Sequence, residues 1–311
     1  MNQQGFEVLL LKTDTLEVEM LPALGGKVSS LRRNGVELLQ APLRPYALRT
    51  AAMGFEASDA SGFDECLPSV SECVIAGPSG EIGIPDHGEF WRLPCEVEQR
   101  GSNEARLTAT GSVLPLRFER TLKLEGETLR LAYRLENVGE AEVGYAWSAH
   151  PLFCVDAGDL IVLPSSVDWV SVEGSAHERL GAKGTLHRWP IAEGRDGEKI
   201  DLSTAGNVSD DIGDKLYVTA PEEGWAAIER RQVGLRVQVG FDPALCPYLG
   251  LWVCFGGWPE GQDRRQQCVA LEPCTAAGDS LAEAVEKGWA RRLAPGQSTL
   301  WWMTIAVTEI L

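Results

Sequence analysis

Alternation of apolar and charged residues over two neighbouring segments constrains the fold most strongly. Leu116–Leu124 reads LRFERTLKL and Leu129–Leu135 reads LRLAYRL, so apolar side chains occupy most of the alternate positions. A period of two places the apolar residues on one face of a strand and the charged residues on the other. Glu125–Thr128 lies between the segments and contains a glycine suited to a tight turn. We therefore predict a hairpin with one buried and one solvated face.

Similar short apolar runs, separated by turn residues, continue along the chain. Helical spacing is found only over Ser280–Arg292. Many short strands with almost no helix predict an all-β fold, a large antiparallel twisted β-sandwich. Because there is no long Pro-, Gly- or Ser-rich linker, we expect one domain over residues 1–311. The further strand candidates are Phe6–Leu11, Leu16–Met20, Leu107–Ser112, Val143–Trp147, Asp159–Leu163, Lys215–Thr219, Ala226–Arg230, Leu235–Phe241, Leu249–Phe255, Cys268–Leu271 and Thr299–Thr308.

The charge balance disfavours several classes of partner. The chain has 28 Lys plus Arg against 45 Asp plus Glu, a net charge of −17. Nucleic acids and anionic membranes are bound mainly through clustered Lys and Arg, so neither is an expected partner. Met1–Glu7 does not resemble a secretory signal, and no apolar run approaches the ~20 residues of a membrane helix. These features predict a cytoplasmic protein.

The eight cysteines are scattered, and no two have the spacing of a zinc knuckle or a redox pair. We expect reduced thiols packed as small hydrophobic groups, and no metal or cofactor. Among the four histidines, His177 and His187 lie in polar, Gly-rich sequence and are expected to be solvated. His87 lies in a loop between two acids, and His150 ends an apolar run before a proline.

Glu272 follows the apolar run Val269–Leu271 and precedes a proline. A carboxylate that emerges from a buried strand is costly unless it is paired or used, because burial disfavours its charged form. Glu272, His87 and His150 are therefore the residues most suited to chemistry. For His150, a purely structural role at a strand end remains an alternative.

Several short motifs, in a fixed order over nearly the whole chain, carry a resemblance to a known family. They are Leu21–Leu31, Asn34–Leu39, His87–Gly88, His150–Phe153, Asp214–Tyr217, Leu271–Thr275 and Leu293–Gln297. In order and spacing they resemble the aldose 1-epimerases, also called galactose mutarotase-like proteins. Two further motifs, Gly62–Pro68 and Asp86–Trp91, resemble a divergent bacterial branch of that superfamily.

The resemblance implies a β-supersandwich with a sugar site and a set of site residues. Glu272 matches the general base that takes the proton of the anomeric hydroxyl, and His150 matches the acid that protonates the ring oxygen. His87 matches a histidine that contacts the sugar near the ring oxygen. Asp214 matches an acid that binds sugar hydroxyls, although Lys215 follows it where the family commonly has histidine. An acid and a base on opposite sides of the ring need no cofactor.

Departures from the family leave the substrate open. The family's galactose enzymes have an arginine in the segment that here is Ser61–Cys66, and Arg49 is a candidate to supply one instead. Asp64 and Glu65 are either hydroxyl ligands or the solvated charges of a loop. Trp258 is the best candidate among the tryptophans to stack on a sugar.

We therefore predict an aldose 1-epimerase acting on a free, uncharged sugar, with neither nucleic acid nor membrane as a partner; the oligomeric state is left open. One alternative is sugar binding or sensing on the same fold without catalysis. The other is a hexose-6-phosphate 1-epimerase, which we place lower because residues 56–91 contain no lysine or arginine. The acids of this stretch are Glu56, Asp59, Asp64, Glu65, Glu72, Glu81, Asp86 and Glu89.

Overall fold

Two large antiparallel sheets dominate the fold, as the alternating pattern predicts. The computed structural model describes residues 2–78, 80–219 and 222–310. In chain order, the strands are β1 (Asn2–Gln3), β2 (Phe6–Glu7), β3 (Leu9–Lys12), β4 (Leu16–Leu21), β5 (Lys27–Arg33), β6 (Val36–Glu37), β7 (Phe63–Cys66), β8 (Cys73–Gly77), β9 (Gly80–Ile84), β10 (Glu96–Gln99), β11 (Glu104–Thr110), β12 (Leu116–Glu125), β13 (Thr128–Asn137), β14 (Val143–Tyr145), β15 (Ser148–Cys154), β16 (Leu160–Val162), β17 (Trp169–Ser175), β18 (Leu186–Arg188), β19 (Ile191–Glu193), β20 (Lys199–Asp201), β21 (Ile212–Thr219), β22 (Trp225–Arg230), β23 (Leu235–Phe241), β24 (Tyr248–Phe255), β25 (Gln267–Cys274), β26 (Arg291–Leu293) and β27 (Ser298–Glu309).

The eight-stranded sheet has the order β10-β11-β12-β13-β27-β23-β22-β16. The eleven-stranded sheet has the order β18-β17-β21-β24-β25-β15-β7-β5-β4-β3, and β6 pairs with β5. One helix, α1 (Leu281–Glu286), and short 3-10 turns complete the elements of the described ranges. The 3-10 turns are Pro22–Leu24, Phe55–Ala57, Phe90–Arg92, Ala176–Glu178 and Val208–Asp210.

The predicted hairpin is confirmed as β12 and β13, which pair over their whole length from Leu116↔Asn137 to Glu125↔Thr128. Apolar residues of these strands point to a core shared with the eleven-stranded sheet. Tyr133 of β13 packs its ring 5.0 Å from that of Trp147, which lies between β14 and β15. Stacking of Trp301 from β27 on Tyr133, at 5.1 Å, extends this aromatic layer. The core therefore lies between the two sheets, as in a β-sandwich.

Three local predictions are wrong in extent. The predicted strand Phe6–Leu11 is interrupted at Val8, between β2 and β3. The predicted strand Val143–Trp147 is interrupted, because β14 ends at Tyr145 and β15 begins at Ser148. The predicted helix Ser280–Arg292 contains only the six residues of α1. Ser280 caps this helix by accepting a hydrogen bond from the amide of Glu283. Gly288 then adopts a left-handed conformation with φ 71°, which ends the helical geometry before β26.

The eleven-stranded sheet has two faces of different character. One face packs on the eight-stranded sheet and carries apolar residues such as Leu251, Leu271 and Leu216. The opposite face, called the outer face below, carries the polar residues Glu272 and Lys215 at the alternate positions of β25 and β21. Strand alternation therefore gathers polar side chains from several strands on one surface. Within the described ranges, no helix has the length and apolar character of a transmembrane span.

Candidate active site

A cavity of about 150 Å³ lies on the outer face, over β15, β25, β24 and β21. It contains three of the residues predicted from the sequence: His87, His150 and Trp258. Glu272 lies directly beneath it, in contact with Lys215. The complete lining is Phe55, Val70, His87, His150, Lys215, Trp252, Trp258, Gln266 and Asp279.

Glu272 is the most tightly enclosed acid at this site, since its side chain is 1% exposed. One carboxylate oxygen, Oε2, forms an ion pair with Lys215 Nζ and accepts a hydrogen bond of 3.3 Å from Ser148 Oγ. Among the described residues, no group hydrogen-bonds to the other oxygen, Oε1. Burial raises the pKa of the Glu272 carboxyl above its ordinary value, although Lys215 acts in the opposite direction. A carboxylate with one free oxygen and a raised pKa is suited to accept a proton.

His150 lies beside Glu272 rather than across a sugar ring from it. The two groups are 3.7 Å apart, measured from His150 Nε2 to Glu272 Oε1. Burial, together with the nearby His87, Lys215 and Lys27, lowers the pKa of His150 well below its ordinary value. The imidazole is therefore neutral at pH 7 and offers one N–H as a donor. The expectation of an acid and a base on opposite sides of the ring does not match this geometry.

Lys215 and Asp279 extend the charged part of the cavity. Burial would lower the pKa of Lys215, but the charges of Glu272 and Asp279 raise it above its ordinary value. Asp279 Oδ1 is 3.7 Å from Lys215 Nζ and accepts a hydrogen bond of 2.7 Å from the Tyr217 hydroxyl. Lys215 is therefore a protonated donor held between two carboxylates.

A tightly fixed loop presents His87. His87 itself has φ 57°, a left-handed conformation that is costly for a residue with a side chain. Gly88 follows, where an added Cβ would lie 2.0 Å from the Leu67 carbonyl oxygen, so only glycine fits. The Asp86 carboxylate holds the ring through a contact of 2.8 Å with His87 Nδ1. Trp91 fixes the loop by donating from its indole nitrogen to the Asp86 and Gly88 carbonyls.

Aromatic rings form the walls of the cavity. Phe55 stacks on His87 with ring centroids 4.2 Å apart, and it lies 6.1 Å from Trp258. Trp252 meets Trp258 edge to face at 6.3 Å and donates its indole N–H to Gln266 Oε1 at 2.8 Å. Such a combination of flat rings and fixed polar groups suits a molecule with both apolar faces and hydroxyls.

Asp214 lies elsewhere, which argues against the expected role of this residue in sugar binding. It neighbours Lys215 along β21, so the two side chains point to opposite faces of the sheet. Its carboxylate is fully buried, accepts a hydrogen bond of 2.7 Å from Ser175 Oγ and pairs with Arg179. Lys215 is therefore the β21 residue that reaches the cavity.

Arg49 and Asp64 are also separated from the cavity. Arg49 contacts Asp64 and Asp59 at 2.8 Å each, and Lys27 pairs with the same two acids, so the four charges balance inside the protein. The Arg49 guanidinium lies over the Trp91 ring at 4.4 Å. Arg49 and Asp64 therefore support the cavity wall from behind and do not face the cavity.

Glu65 is neither a hydroxyl ligand nor a solvated charge. Its side chain points between the two sheets, where it pairs with Arg120 at 2.7 Å. It also accepts hydrogen bonds from Trp147 Nε1 and the Tyr133 hydroxyl. His187, which the sequence predicts to be solvated, is also buried, and its Nε2 contacts the Leu180 carbonyl at 2.8 Å.

Sequence reasoning missed Lys215, Gln266 and Asp279 as cavity residues. The sequence did contain a signal for Lys215. Adjacent residues of a strand point to opposite faces, so only one of Asp214 and Lys215 can face the cavity. Asp279 directly precedes Ser280, the residue that caps α1, and nothing in that sequence distinguishes it as a cavity residue. Gln266 precedes β25 in a polar stretch and has no distinguishing pattern.

Comparisons with known proteins establish the fold. Neither a family model nor a curated protein matches the sequence. Solved structures do match, including the Slr1438 protein from Synechocystis sp. PCC 6803, at 18% identity and a TM-score of 0.72 over 99% of this chain and 98% of that one. A galactose mutarotase-like protein from Lactobacillus casei ATCC 334 is 15% identical, with a TM-score of 0.69 over 97% of this chain and all of its own.

A GalM/aldose epimerase homologue from C. elegans is 10% identical, with a TM-score of 0.67 over 98% of this chain and 100% of that one. Identities this low establish a shared architecture and leave the activity open. The structural neighbours are galactose mutarotase-like and aldose 1-epimerase family proteins, and the chain has their fold.

Proposed function

We propose that the protein is an aldose 1-epimerase that interconverts the α and β anomers of a free, uncharged sugar. The observation that carries the proposal is the position of Glu272. Its Oε1 has no hydrogen-bond partner among the described residues and lies 3.7 Å from His150, beneath a cavity walled by aromatic rings. The fold that the chain shares with mutarotase-like proteins supports the same proposal.

The reaction needs one proton removed and one supplied. Glu272 Oε1 takes the proton of the anomeric hydroxyl, the bond between C1 and the ring oxygen breaks, and the protonated Lys215 gives a proton to the ring oxygen. Rotation about C1–C2 then presents the other face of the aldehyde, and the reverse steps close the ring. Each positioned acid or base contributes about 10²–10⁴-fold to such a reaction.

Two cavity residues are candidates to donate to the ring oxygen. His150 is the donor that the family resemblance implies, and its neutral imidazole offers a hydrogen bond from one N–H. Lys215 is protonated and contacts Glu272, so it is the source of the charge that stabilises the developing alkoxide. We assign His150 to orienting the ring oxygen and Lys215 to stabilising the negative charge that develops there and protonating it.

The charges of the cavity favour a neutral substrate over a sugar phosphate. Lys215 is the only lysine or arginine among the described lining residues, and Glu272 and Asp279 compensate its charge. Phosphate sites usually present several cationic donors, often from arginine. Because the cavity has no excess of positive charge, hexose-6-phosphate epimerisation is the weaker alternative.

The test is exchange NMR or polarimetry on freshly dissolved α-anomers of several hexoses. Glu272→Gln should lower the catalysed rate by about 10²–10⁴-fold, because the amide cannot accept the proton. Glu142→Gln is the control, since Glu142 pairs with Arg292 at an exposed position outside the cavity. If no hexose equilibrates faster than in buffer, or if Glu272→Gln keeps the full rate, the proposal is wrong.

Sugar binding without catalysis is the second candidate, and one observation favours it. Lys215 covers Glu272, whose side chain is 1% exposed, so the proposed base is enclosed. Calorimetric titration with the same hexoses separates the two functions. Binding at a fixed stoichiometry without any acceleration of anomer exchange would assign the protein to the second.

A further inference from the structure

Three potential metal ligands meet at the cavity. Cys66, His87 and His150 each place one ligand atom within 4.8 Å of the other two. We propose that these residues form a binding site for a divalent transition metal ion, with Zn²⁺ as the best fit. A thiolate with two imidazoles is a donor set that Zn²⁺ prefers, usually in tetrahedral geometry with one position left for another ligand.

The fold brings these residues together from distant parts of the sequence. Cys66 in β7 and His150 in β15 lie on neighbouring antiparallel strands, where Cys66 is opposite Ser148 and Asp64 is opposite His150. Both side chains therefore point to the outer face. An isolated bridge between Leu67 and Gly88 ties the His87 loop to the end of β7. No sequence spacing between the three residues signals such a site.

His87 is oriented as a metal ligand usually is. Its Nδ1 contacts the Asp86 carboxylate at 2.8 Å, and Nε2 has no hydrogen bond to any described residue. The other Asp86 oxygen accepts a hydrogen bond of 2.6 Å from the amide of Phe55, so the carboxylate is itself fixed. Metal-binding histidines commonly present this arrangement, because a carboxylate behind the ring fixes its orientation and raises its basicity.

His150 supplies a second, independent observation. Only 7% of the residue is exposed, and no hydrogen-bond partner for its Nδ1 exists in the described part of the chain. A buried polar atom without a partner is uncommon in proteins and calls for an explanation. The other ring nitrogen, Nε2, faces Glu272 Oε1 at 3.7 Å, so Nδ1 is the nitrogen left to bind an ion.

The distances suit binding after a small adjustment. Zn–N bonds of about 2.0–2.1 Å and Zn–S bonds of about 2.3 Å place tetrahedral ligand atoms roughly 3.5 Å apart. The side chains therefore need to close by about 1 Å, which rotation about their torsions provides. Cys66 is 1% exposed, so the ion reaches it through the cavity and not from the protein surface.

Binding of the ion has a consequence that rests on the proposed function. His87 and His150 line the cavity that would hold the sugar, so ion and sugar exclude each other. Zn²⁺ should then inhibit anomer exchange, and a chelator should restore it. The ion is accordingly an inhibitor of the proposed reaction and takes no part in its chemistry.

The test uses Co²⁺ as a spectroscopic probe on chelator-treated protein. One equivalent should give the visible bands of tetrahedral cobalt and a near-ultraviolet thiolate-to-cobalt band, and Zn²⁺ should remove both. Cys66→Ser should abolish the thiolate band, whereas the control Cys73→Ser, on β8, should retain it. His87→Ala should weaken cobalt binding at least tenfold.

A saturated titration without the thiolate band, or a band that survives Cys66→Ser, would overturn the proposal. If circular dichroism shows that Cys66→Ser does not fold, the His87→Ala variant provides the test. An unchanged affinity of His87→Ala for cobalt would then overturn the proposal. Because these spectra need no sugar, the metal site and the epimerase activity can fail separately.

Discussion

Lys215 Nζ forms an ion pair with Glu272 Oε2 across the intervening strand β24. Gly250 is the β24 residue directly paired with Glu272, and the absence of a side chain there leaves room for the pair. The same contact has two effects. It supplies the positive charge that offsets the burial of Glu272, and it covers the carboxylate that we propose as the base.

Lys215→Met tests which of these effects dominates. Lys215 opposes the burial that raises the pKa of Glu272, so its removal should raise that pKa further. A base must be ionised, so its activity falls as the pH falls through its pKa. The variant should therefore lose at least tenfold in anomer exchange at pH 7, and the acidic limb of its pH–rate profile should move to higher pH.

Lys183→Met is the control for this substitution, since Lys183 pairs with Glu173 and Glu283 outside the cavity. The control should exchange anomers at the wild-type rate. An unchanged or increased rate in Lys215→Met would mean that the lysine only obstructs Glu272.

Gly250→Ala probes the space that the ion pair occupies. The added Cβ would lie 3.0 Å from Glu272 Oε2 and 3.3 Å from Glu272 Cβ, so Glu272 must shift, whereas Lys215 Nζ at 3.4 Å is at an ordinary contact distance. Overpacking of this kind costs about 1–3 kcal/mol in the free energy of unfolding. Urea denaturation should show that loss, and exchange NMR should show a slower reaction. Gly144→Ala is the control, since its Cβ would meet nothing closer than 3.6 Å, and equal losses in both variants would contradict the prediction.

Trp258→Leu tests the aromatic wall. If Trp258 stacks on the sugar, its loss should weaken binding by about threefold to tenfold, which corresponds to about 0.5–1.5 kcal/mol for a ring contact. Calorimetric titration measures this change. Trp302→Leu, at an exposed position of β27 in the other sheet, should bind the sugar as wild type does. Equal affinity in the Trp258 variant would remove this residue from the site.

The sequence predicted the sandwich because a two-residue period is a local property that each strand carries by itself. It did not predict which face of a strand meets the cavity. Asp214 and Lys215 illustrate this: the resemblance selected Asp214, whereas the register with β24 places Lys215 opposite Trp252 on the outer face. The pairing of two strands, and not the residue types, decided between them.

Charge compensation between residues far apart in the sequence was the second feature that the sequence could not predict. Arg49 and Asp64 are 15 positions apart, and their predicted roles assumed that each was free to contact a ligand. In the fold they neutralise each other together with Lys27 and Asp59. Such a network depends on which side chains a tertiary structure brings together, so single-residue reasoning cannot identify it.

Asp59→Asn tests this buried network. It should lower the free energy of unfolding by about 3–5 kcal/mol, because removal of one partner leaves a buried cation uncompensated. Burial alone would raise the pKa of Asp59, but Lys27 and Arg49 lower it well below its ordinary 3.8. A carboxyl whose pKa is lower in the folded protein than in the unfolded chain stabilises the fold fully at a pH above the unfolded-chain pKa. This stabilisation is lost progressively as the pH falls from that pKa towards the folded-state pKa. Urea denaturation should therefore show a full difference from wild type at pH 6 and a smaller one below pH 3.8. Glu142→Gln, which removes an exposed pair with Arg292, should change stability little at either pH, and an equal loss there would refute the argument.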